Sequence, residues 1–174
     1  KEIKGDVLDI RKVTVKKESK GMGWGAVYAE YWEDMDKIGV QGNALSIRKE
    51  VYKDGKPLGN TDVLKVGDKL TIRLTIKTDR DMDFIEVKDE RAACMEPVDV
   101  LSGYHWMNGL GYYQRTKDSS TSFYMDQLRK GTYTLSYEVY VNMAGTYQEG
   151  AATIQSVYAP EFSGYVGGNR ICVE

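Results

Sequence analysis

One stretch in the middle of the chain decides the fold, and its sequence is Leu70-Thr71-Ile72-Arg73-Leu74-Thr75-Ile76-Lys77. Apolar and polar residues alternate along it without a break. Successive side chains of a β-strand point to opposite faces of the sheet, so this pattern predicts a strand with one buried face. The stretch 133–141 alternates in the same way, and its expected buried face consists of Tyr133, Leu135, Tyr137, Val139 and Val141.

The same period predicts further strands along the chain, near 7–16, 24–32, 44–53, 83–91, 111–116, 121–126, 149–158 and 165–173. No long window has a clean helical period, and the best helical candidate is a short turn around 33–37. Turn dipeptides such as Asp54-Gly55 fall between the strands. We therefore predict an all-β fold, an antiparallel immunoglobulin-like β-sandwich of two sheets. The longest irregular connection in this interpretation is 95–110.

The size and charge of the chain limit its partners. Its 174 residues fit a single β-sandwich domain spanning 1–174. With 24 basic and 26 acidic side chains and no long run of like charge, we predict no nucleic-acid partner. No stretch has the roughly 18–20 consecutive apolar residues of a transmembrane segment. Because the chain begins at Lys1 and not at Met, we expect it to be a fragment of a longer protein.

Histidine and cysteine, the residues that most often bind zinc, are scarce. One His and two Cys cannot build a His-rich or four-thiolate zinc site. The weak metal candidates are Asp79, Asp81 and Asp83, whose spacing imitates a calcium loop. Phe84, however, stands where such a loop needs Gly. We therefore predict no metal, no cofactor and no catalytic residue, so the domain is not expected to be an enzyme.

The two cysteines, Cys94 and Cys172, stand far apart in the sequence. A disulfide between them is one alternative, and a reduced, buried Cys94 is the other. The string Cys94-Met95-Glu96-Pro97 approaches the C-x-E-Q sequence that forms an internal thioester. Because Pro97 has no side-chain carboxamide to supply the acyl group, no thioester is expected here.

The densest aromatic cluster lies in and beside the predicted irregular connection, and it consists of Tyr104, His105, Trp106, Tyr112 and Tyr113. Exposed aromatic rings at this place could stack on sugar rings or anchor a protein partner. The alternative is that they only close the open end of the sandwich. These five residues are the candidate interface or ligand-binding residues.

Several strings occur in a familiar order. The most specific are the ending Tyr158-Ala159-Pro160-Glu161-Phe162, the strand start Gly131-Thr132-Tyr133 and the turn Asp79-Arg80-Asp81; the others lie at 23–34, 64–70, 88–92, 109–113 and 119–124. Together they resemble the C-terminal part of bacterial alpha-2-macroglobulin-like proteins, from about residue 7 to the end. The resemblance implies a macroglobulin-like β-sandwich at the C-terminus of a longer chain, with 1–23 as a leading segment that could join the preceding domain.

The resemblance also implies a function. The parent protein would trap proteases in the cell envelope of a bacterium, either in the periplasm or anchored to the membrane through the missing N-terminal part. This domain would be a non-catalytic module that docks against other domains of the parent chain, including any thioester domain, and would meet the target protease only through the intact protein. Some members are proposed to shield the thioester with a tyrosine of this domain, for which Tyr104 and Tyr113 are candidates. The alternative is a carbohydrate-binding or adhesive cell-surface module that uses the aromatic residues of 104–113.

Overall fold

The computed structural model describes residues 14, 16–18, 20–23, 32–59, 61–107 and 109–174. It divides into two compact units, 1–33 and 34–174, and the second contains all the strands described below. The strands predicted for 7–16 and 24–32 lie almost entirely outside the described residues. The turn predicted around 33–37 is confirmed as a short 3-10 helix, Met35–Lys37. Among the described residues, no helix is long and apolar enough to cross a membrane.

The strands follow in chain order as β1 Gln41–Gly42, β2 Leu45–Lys53, β3 Lys56–Pro57, β4 Val63–Leu64, β5 Lys69–Thr78, β6 Met82–Glu90, β7 Met95–Pro97, β8 Gly103–Met107, β9 Leu110–Thr116, β10 Ser120–Leu128, β11 Gly131–Val141, β12 Gly145–Gln148, β13 Ala152–Ser156, β14 Ser163–Val166 and β15 Arg170–Val173.

These strands form two large sheets and one small one. The first large sheet has seven strands in the order β1-β14-β13-β6-β10-β9-β8, and the second has five in the order β3-β2-β5-β11-β7. The small sheet has the order β12-β15-β4. Within the described part of the chain every strand pair is antiparallel except β15 with β4. The predicted all-β, immunoglobulin-like sandwich is confirmed.

The hydrophobic core lies between the two large sheets and follows the predicted alternation. In β5 the four apolar residues of the deciding stretch are fully buried, while Arg73 and Lys77 are exposed. The facing sheet contributes Val87 and Phe123, which are also fully buried. Each such side chain contributes roughly 1.5–3 kcal/mol of burial free energy. The alternating stretches therefore form the centre of the domain.

The hairpin between β2 and β3 shows how a turn dipeptide sets the register. Asp54 and Gly55 have φ angles of 51° and 77°, and both lie in the left-handed region. Two such residues form the type I′ turn that matches the twist of antiparallel strands. The strands therefore pair directly across the turn, with Lys53 opposite Lys56.

Two sequence predictions are corrected by the structure. The connection predicted to be irregular at 95–110 contains strands β7 and β8, so that interpretation was wrong. Alternation is hard to recognise in β8 because this strand lies at the sheet edge and carries exposed aromatic residues on its outer face. The strand predicted at 165–173 is two strands, β14 and β15, in different sheets. Gly167 and Gly168 connect these two strands and pack closely against other backbone segments. A Cβ atom at Gly167 would lie 2.0 Å from the Met35 carbonyl oxygen, and one at Gly168 would lie 2.5 Å from the Glu149 carbonyl oxygen.

Candidate functional site

The outer face of the seven-stranded sheet carries a row of tyrosines on three adjacent strands. Tyr104 in β8 lies opposite Tyr113 in β9, and Tyr113 lies opposite Tyr124 in β10. The rings of Tyr104 and Tyr113 meet edge to face, with their centroids 4.9 Å apart. Trp106 lies two residues along β8 on the same side. We call Tyr104, Trp106, Tyr113 and Tyr124 the aromatic face.

The aromatic face is open to solvent at its edge. Tyr104 is 86% exposed and Trp106 is 78% exposed, whereas Tyr113 and Tyr124 are half-buried. Trp106 lies against Gly111, its partner in β9, because a Cβ atom at Gly111 would be 2.8 Å from the indole ring. Because Gly111 has no side chain, the indole ring of Trp106 can pack directly against the backbone of β9. The result is an exposed surface of aromatic rings, which is typical of binding sites for proteins or sugars.

His105 and Tyr112 point away from the aromatic face. They alternate with its members along β8 and β9, so their side chains lie on the opposite side of the sheet. The His105 ring stacks on that of Tyr112 at 5.5 Å, and Tyr112 in turn contacts the buried ring of Phe123. Burial raises the pKa of the Tyr112 hydroxyl. Of the five aromatic candidates, the structure thus brings Tyr104, Trp106 and Tyr113 together on the aromatic face and places His105 and Tyr112 on the other side of the sheet, and all five line one groove.

A groove of about 850 Å³ runs beside the aromatic face around the end of the sandwich. The aromatic rings line it together with Asp126, Gln127 and Arg129, which supply polar groups. Tyr133 also lines the groove, and its hydroxyl donates a hydrogen bond to the Arg129 carbonyl oxygen at 3.0 Å. Sequence reasoning missed Tyr124, Asp126 and Arg129. The alternation in β10 puts Tyr124 and Asp126 on the outer face, but only the strand register shows that they join Tyr113 there.

A second cluster, which sequence reasoning also missed, lies inside the sandwich. The Lys49 ammonium stands 2.7 Å from Asp89 Oδ1 and 3.1 Å from Glu149 Oε1. The Tyr137 hydroxyl donates a hydrogen bond of 2.5 Å to Asp89 Oδ2. The side chains of Lys49, Asp89 and Glu149 are 1%, 0% and 0% exposed. We call these four residues the buried charge cluster.

The buried charge cluster joins the two large sheets. Lys49 and Tyr137 come from the five-stranded sheet, in β2 and β11. Asp89 comes from β6 in the seven-stranded sheet, where β10 and β13 flank it on both sides. Glu149 follows β12, and its Oε2 accepts a hydrogen bond from the Asn169 backbone amide at 3.2 Å. The sequence does contain a signal that these two charges are buried. Lys49 and Asp89 occupy positions of the alternating pattern at which the neighbouring residues on the same face of the strand are apolar and buried.

Burial and the ion pairs act in opposite directions on the protonation of this cluster. Burial raises the pKa of Asp89, although the Lys49 ammonium opposes the shift. It raises the pKa of Glu149 in the same way. Burial alone would lower the pKa of Lys49, but the two carboxylates outweigh it and the pKa is raised. Burial, with the neighbouring Asp89, raises the pKa of Tyr137 well above its usual range, so its hydroxyl keeps its proton and remains a donor.

The other sequence candidates are placed separately. Both cysteines are free thiols, with Cys94 buried and Cys172 exposed, and burial raises the pKa of Cys94. Asp79 forms an ion pair with Arg80 at 2.8 Å, and Asp81 Oδ1 accepts a hydrogen bond from the Lys130 backbone amide at 2.7 Å. Asp83 is an exposed residue of β6. The part of the chain that the structure describes holds no group of three or more His, Cys, Asp or Glu side chains placed to bind a metal ion.

The sandwich and its strand order define a macroglobulin-like domain, and comparison with known families agrees. The sequence-family model of the bacterial alpha-2-macroglobulin MG10 domain matches residues 45–161, which is more than half of the chain. The chain belongs to this family, which confirms the resemblance found in the sequence.

Solved structures of two bacterial proteins share the fold. A crystal structure of Salmonella alpha-2-macroglobulin with one tyrosine replaced by glycine is 19% identical, with a TM-score of 0.65, and the match covers 77% of this chain and 9% of that one. Native Escherichia coli alpha-2-macroglobulin, from domain MG7 to the C-terminus, is 17% identical, with a TM-score of 0.66, over 80% of this chain and 25% of that one. The E. coli protein activated by porcine elastase is 18% identical, with a TM-score of 0.66, over 78% of this chain and 14% of that one.

A curated eukaryotic protein also matches. Circularly permutated Ras protein 2 of Dictyostelium discoideum is 27% identical over an alignment of 119 residues, and the match covers 65% of this chain and 3% of that protein. The chain therefore spans only a small fraction of the length of the relatives it matches.

Proposed function

We propose that this domain is a non-catalytic docking module of a longer bacterial alpha-2-macroglobulin-like protein that traps proteases. The aromatic face would pack against another domain of the same parent chain, including any thioester domain. Contact with the target protease would come only through the intact protein.

The exposed aromatic face is the observation that carries this proposal. Isolated domains rarely expose large contiguous apolar surfaces unless a partner covers them. Tyr and Trp are also the residues most enriched at the energetic centres of interfaces. Val100 and Leu101, which precede β8 in the chain, are also exposed apolar residues.

The comparisons support a partner within the parent chain. The match covers 9% of the Salmonella alpha-2-macroglobulin chain, so most of that chain lies outside the matched region and could supply a partner surface. The E. coli protein was solved after activation by porcine elastase, which supports a response to proteases. One of the Salmonella structures is a variant in which a single tyrosine is replaced by glycine. Tyr104 and Tyr113 are our candidates for a shielding tyrosine in this chain.

The location and chemistry of the module follow from the same proposal. We infer a place in the bacterial cell envelope, either periplasmic or anchored to the membrane through another part of the parent chain. Residues 1–23 would connect the sandwich to the preceding domain. The domain would turn over no external substrate and would need no cofactor.

Side-chain footprinting with hydroxyl radicals tests the docking role. We expect Tyr104 and Trp106 to be oxidised several-fold more slowly in the parent chain than in the isolated 174-residue chain. Tyr158 is a matched control because it is 78% exposed and lies away from β8, packed edge to face against Phe84. Equal oxidation of Tyr104 and Trp106 in both proteins would contradict the proposal.

A carbohydrate-binding or adhesive module is the second candidate. It is favoured by the flat, exposed rings of Tyr104 and Trp106 next to the polar groups of Asp126 and Arg129, since flat rings stack on sugars and polar groups fix their orientation. Titration with envelope and dietary polysaccharides tests it. Saturable binding that is lost in Trp106→Ala would favour this function over docking.

A further inference from the structure

We propose that the buried charge cluster forms a covalent cross-link, an isopeptide bond between Lys49 Nζ and Asp89 Cγ, with Glu149 as the group that transfers the protons. The bond would connect β2 of the five-stranded sheet to β6 of the seven-stranded sheet. This inference is independent of the docking role, because it rests on the interior of the sandwich and not on its aromatic face.

The geometry places the reacting groups together before any reaction. Lys49 Nζ lies 2.7 Å from Asp89 Oδ1, so it stands next to the carbon that it would attack. Two strands within sheets hold the partners, since Lys49 lies in β2 and Asp89 lies between two neighbouring strands. Holding an amine and a carboxyl group in contact raises their effective concentration to about 10⁵–10⁸ M in favourable cases.

Amide formation needs a neutral amine and a protonated carboxyl group. Burial disfavours both charges, because they lose their hydration in the interior. The two carboxylates oppose this at Lys49 and raise its pKa, so the neutral amine is the minor form from which the reaction would proceed. The raised pKa of Asp89 is consistent with a carboxyl group that takes up a proton in this environment.

Glu149 and Tyr137 occupy the positions of the two supporting groups. Glu149 Oε1 lies 3.1 Å from Lys49 Nζ, within reach of the protons that must leave the nitrogen. The Tyr137 hydroxyl donates to Asp89 Oδ2, the oxygen that would become the amide carbonyl oxygen. It can therefore stabilise the negative charge that develops on this oxygen when the amine adds to the carbon.

The step balances without any other reactant. One proton passes from the Lys49 ammonium through Glu149 to Asp89 Oδ1, which leaves a neutral amine and a carboxylic acid. The amine lone pair then forms the N–C bond, and a second nitrogen proton passes through Glu149 to Oδ1. The C–Oδ1 bond breaks and Oδ1 departs as water with both protons. The products are one amide and one water, and Glu149 returns to its starting state.

The burial of three charged groups supplies a reason for the reaction. Asp89 Oδ1 and Glu149 Oε1 lie 2.7 Å and 3.1 Å from Lys49 Nζ, and the three side chains are almost completely buried. Lys49 Nζ also donates a hydrogen bond to the Glu90 backbone carbonyl oxygen at 3.0 Å. Conversion to an amide removes two of the buried charges, and each of these is costly in a dry interior.

Intact mass spectrometry of the reduced, denatured 174-residue chain tests the proposal directly. We expect a mass lower than the sequence mass by one water, and fragmentation that finds the peptides of Lys49 and Asp89 joined. A folded wild-type chain with the full sequence mass would overturn the proposal. A link from Lys49 to Glu149 would overturn the roles assigned to the two carboxyl groups.

Variants separate a chemical role from a structural one. Lys49→Arg and Glu149→Gln should both show the full mass expected from their sequences. Lys88→Arg is the matched control, because Lys88 is a partly exposed lysine next to Asp89 in β6 that pairs with Glu90 at 2.6 Å, and it should keep the water loss. The wild-type measurement remains decisive if either of the first two variants fails to fold. Loss of water in Lys49→Arg would show that another pair reacts and would overturn the proposal.

Discussion

The two faces of the seven-stranded sheet reverse the usual arrangement, in which apolar side chains are buried and charged side chains are exposed. The aromatic face presents Tyr104 and Trp106 to solvent, whereas the inner face of the same sheet contributes Asp89 to a cluster that solvent does not reach. Exposed rings cost little in an isolated domain, but a buried charge is tolerated only with partners. The comparison therefore separates a surface that concerns binding from an interior cluster that concerns stability.

The largest expected effect comes from removing the cation of the buried charge cluster. Lys49→Met would leave Asp89 and Glu149 buried without the cation that both contact, so we expect the free energy of unfolding to fall by about 3–5 kcal/mol. In a cross-linked chain the substitution would also remove the covalent connection between the sheets. Urea denaturation followed by circular dichroism measures the change.

Lys88→Met is the control for this prediction. Lys88 pairs with Glu90 on the outer side of the sheet, where a salt bridge is worth about 1 kcal/mol or less. If both variants lost the same small amount, the buried charge cluster would have no special role in stability.

The next effect comes from the hydroxyl group that contacts Asp89. Tyr137→Phe keeps the ring but removes the donor to Asp89 Oδ2, and we expect a loss of about 1–3 kcal/mol because a buried acceptor loses its partner. Tyr133→Phe is a matched control in the same strand, since its hydroxyl bonds an exposed carbonyl oxygen that water can satisfy. An equal loss in the two variants would mean that burial of Asp89 does not decide the effect.

The sequence predicts most of the fold and three of the four residues of the aromatic face, but none of the buried charge cluster. Alternation located β5 and β11 because one face of each is apolar and the other polar, which any strand in a two-sheet core requires. It failed in β8, where the exposed face is aromatic, so the sequence lacks the polar residues that mark a solvent side. Hydropathy cannot distinguish an aromatic residue that is exposed on the surface from one that is buried in the core.

The buried charge cluster was missed for a different physical reason. Lys49 and Asp89 are 40 positions apart by their numbering, and Glu149 follows a third strand, so only the sheet topology brings them together. The phase of each strand does place both charges on the inner face. A charged residue in phase with buried neighbours is thus a usable signal, although it does not identify the partner.

The pH dependence of stability tests the buried carboxyl group at Glu149. Burial raises its pKa above the ordinary value of 4.5, so the folded chain keeps a proton that the unfolded chain has released. The folded state then binds more protons, and the stability from this group falls as pH rises from 4.5 through the folded pKa. Glu149→Gln should flatten this decrease in urea denaturation experiments across the acidic to neutral range. A variant with the same slope as the wild type would show that Glu149 is not the titrating group.

The smallest expected effect on stability is at the aromatic face, and it completes the contrast with the interior. Trp106→Ala removes a ring that is 78% exposed, so we expect the free energy of unfolding of the isolated chain to change by about 0.5 kcal/mol or less. The same substitution should weaken docking in the parent chain, because aromatic anchors dominate interface energies. Denaturation of the isolated chain and footprinting of Tyr104 in the variant parent chain measure the two effects. A large loss of stability in the isolated chain would mean that Trp106 supports the fold itself, and the division between a binding surface and a stabilising interior would fail.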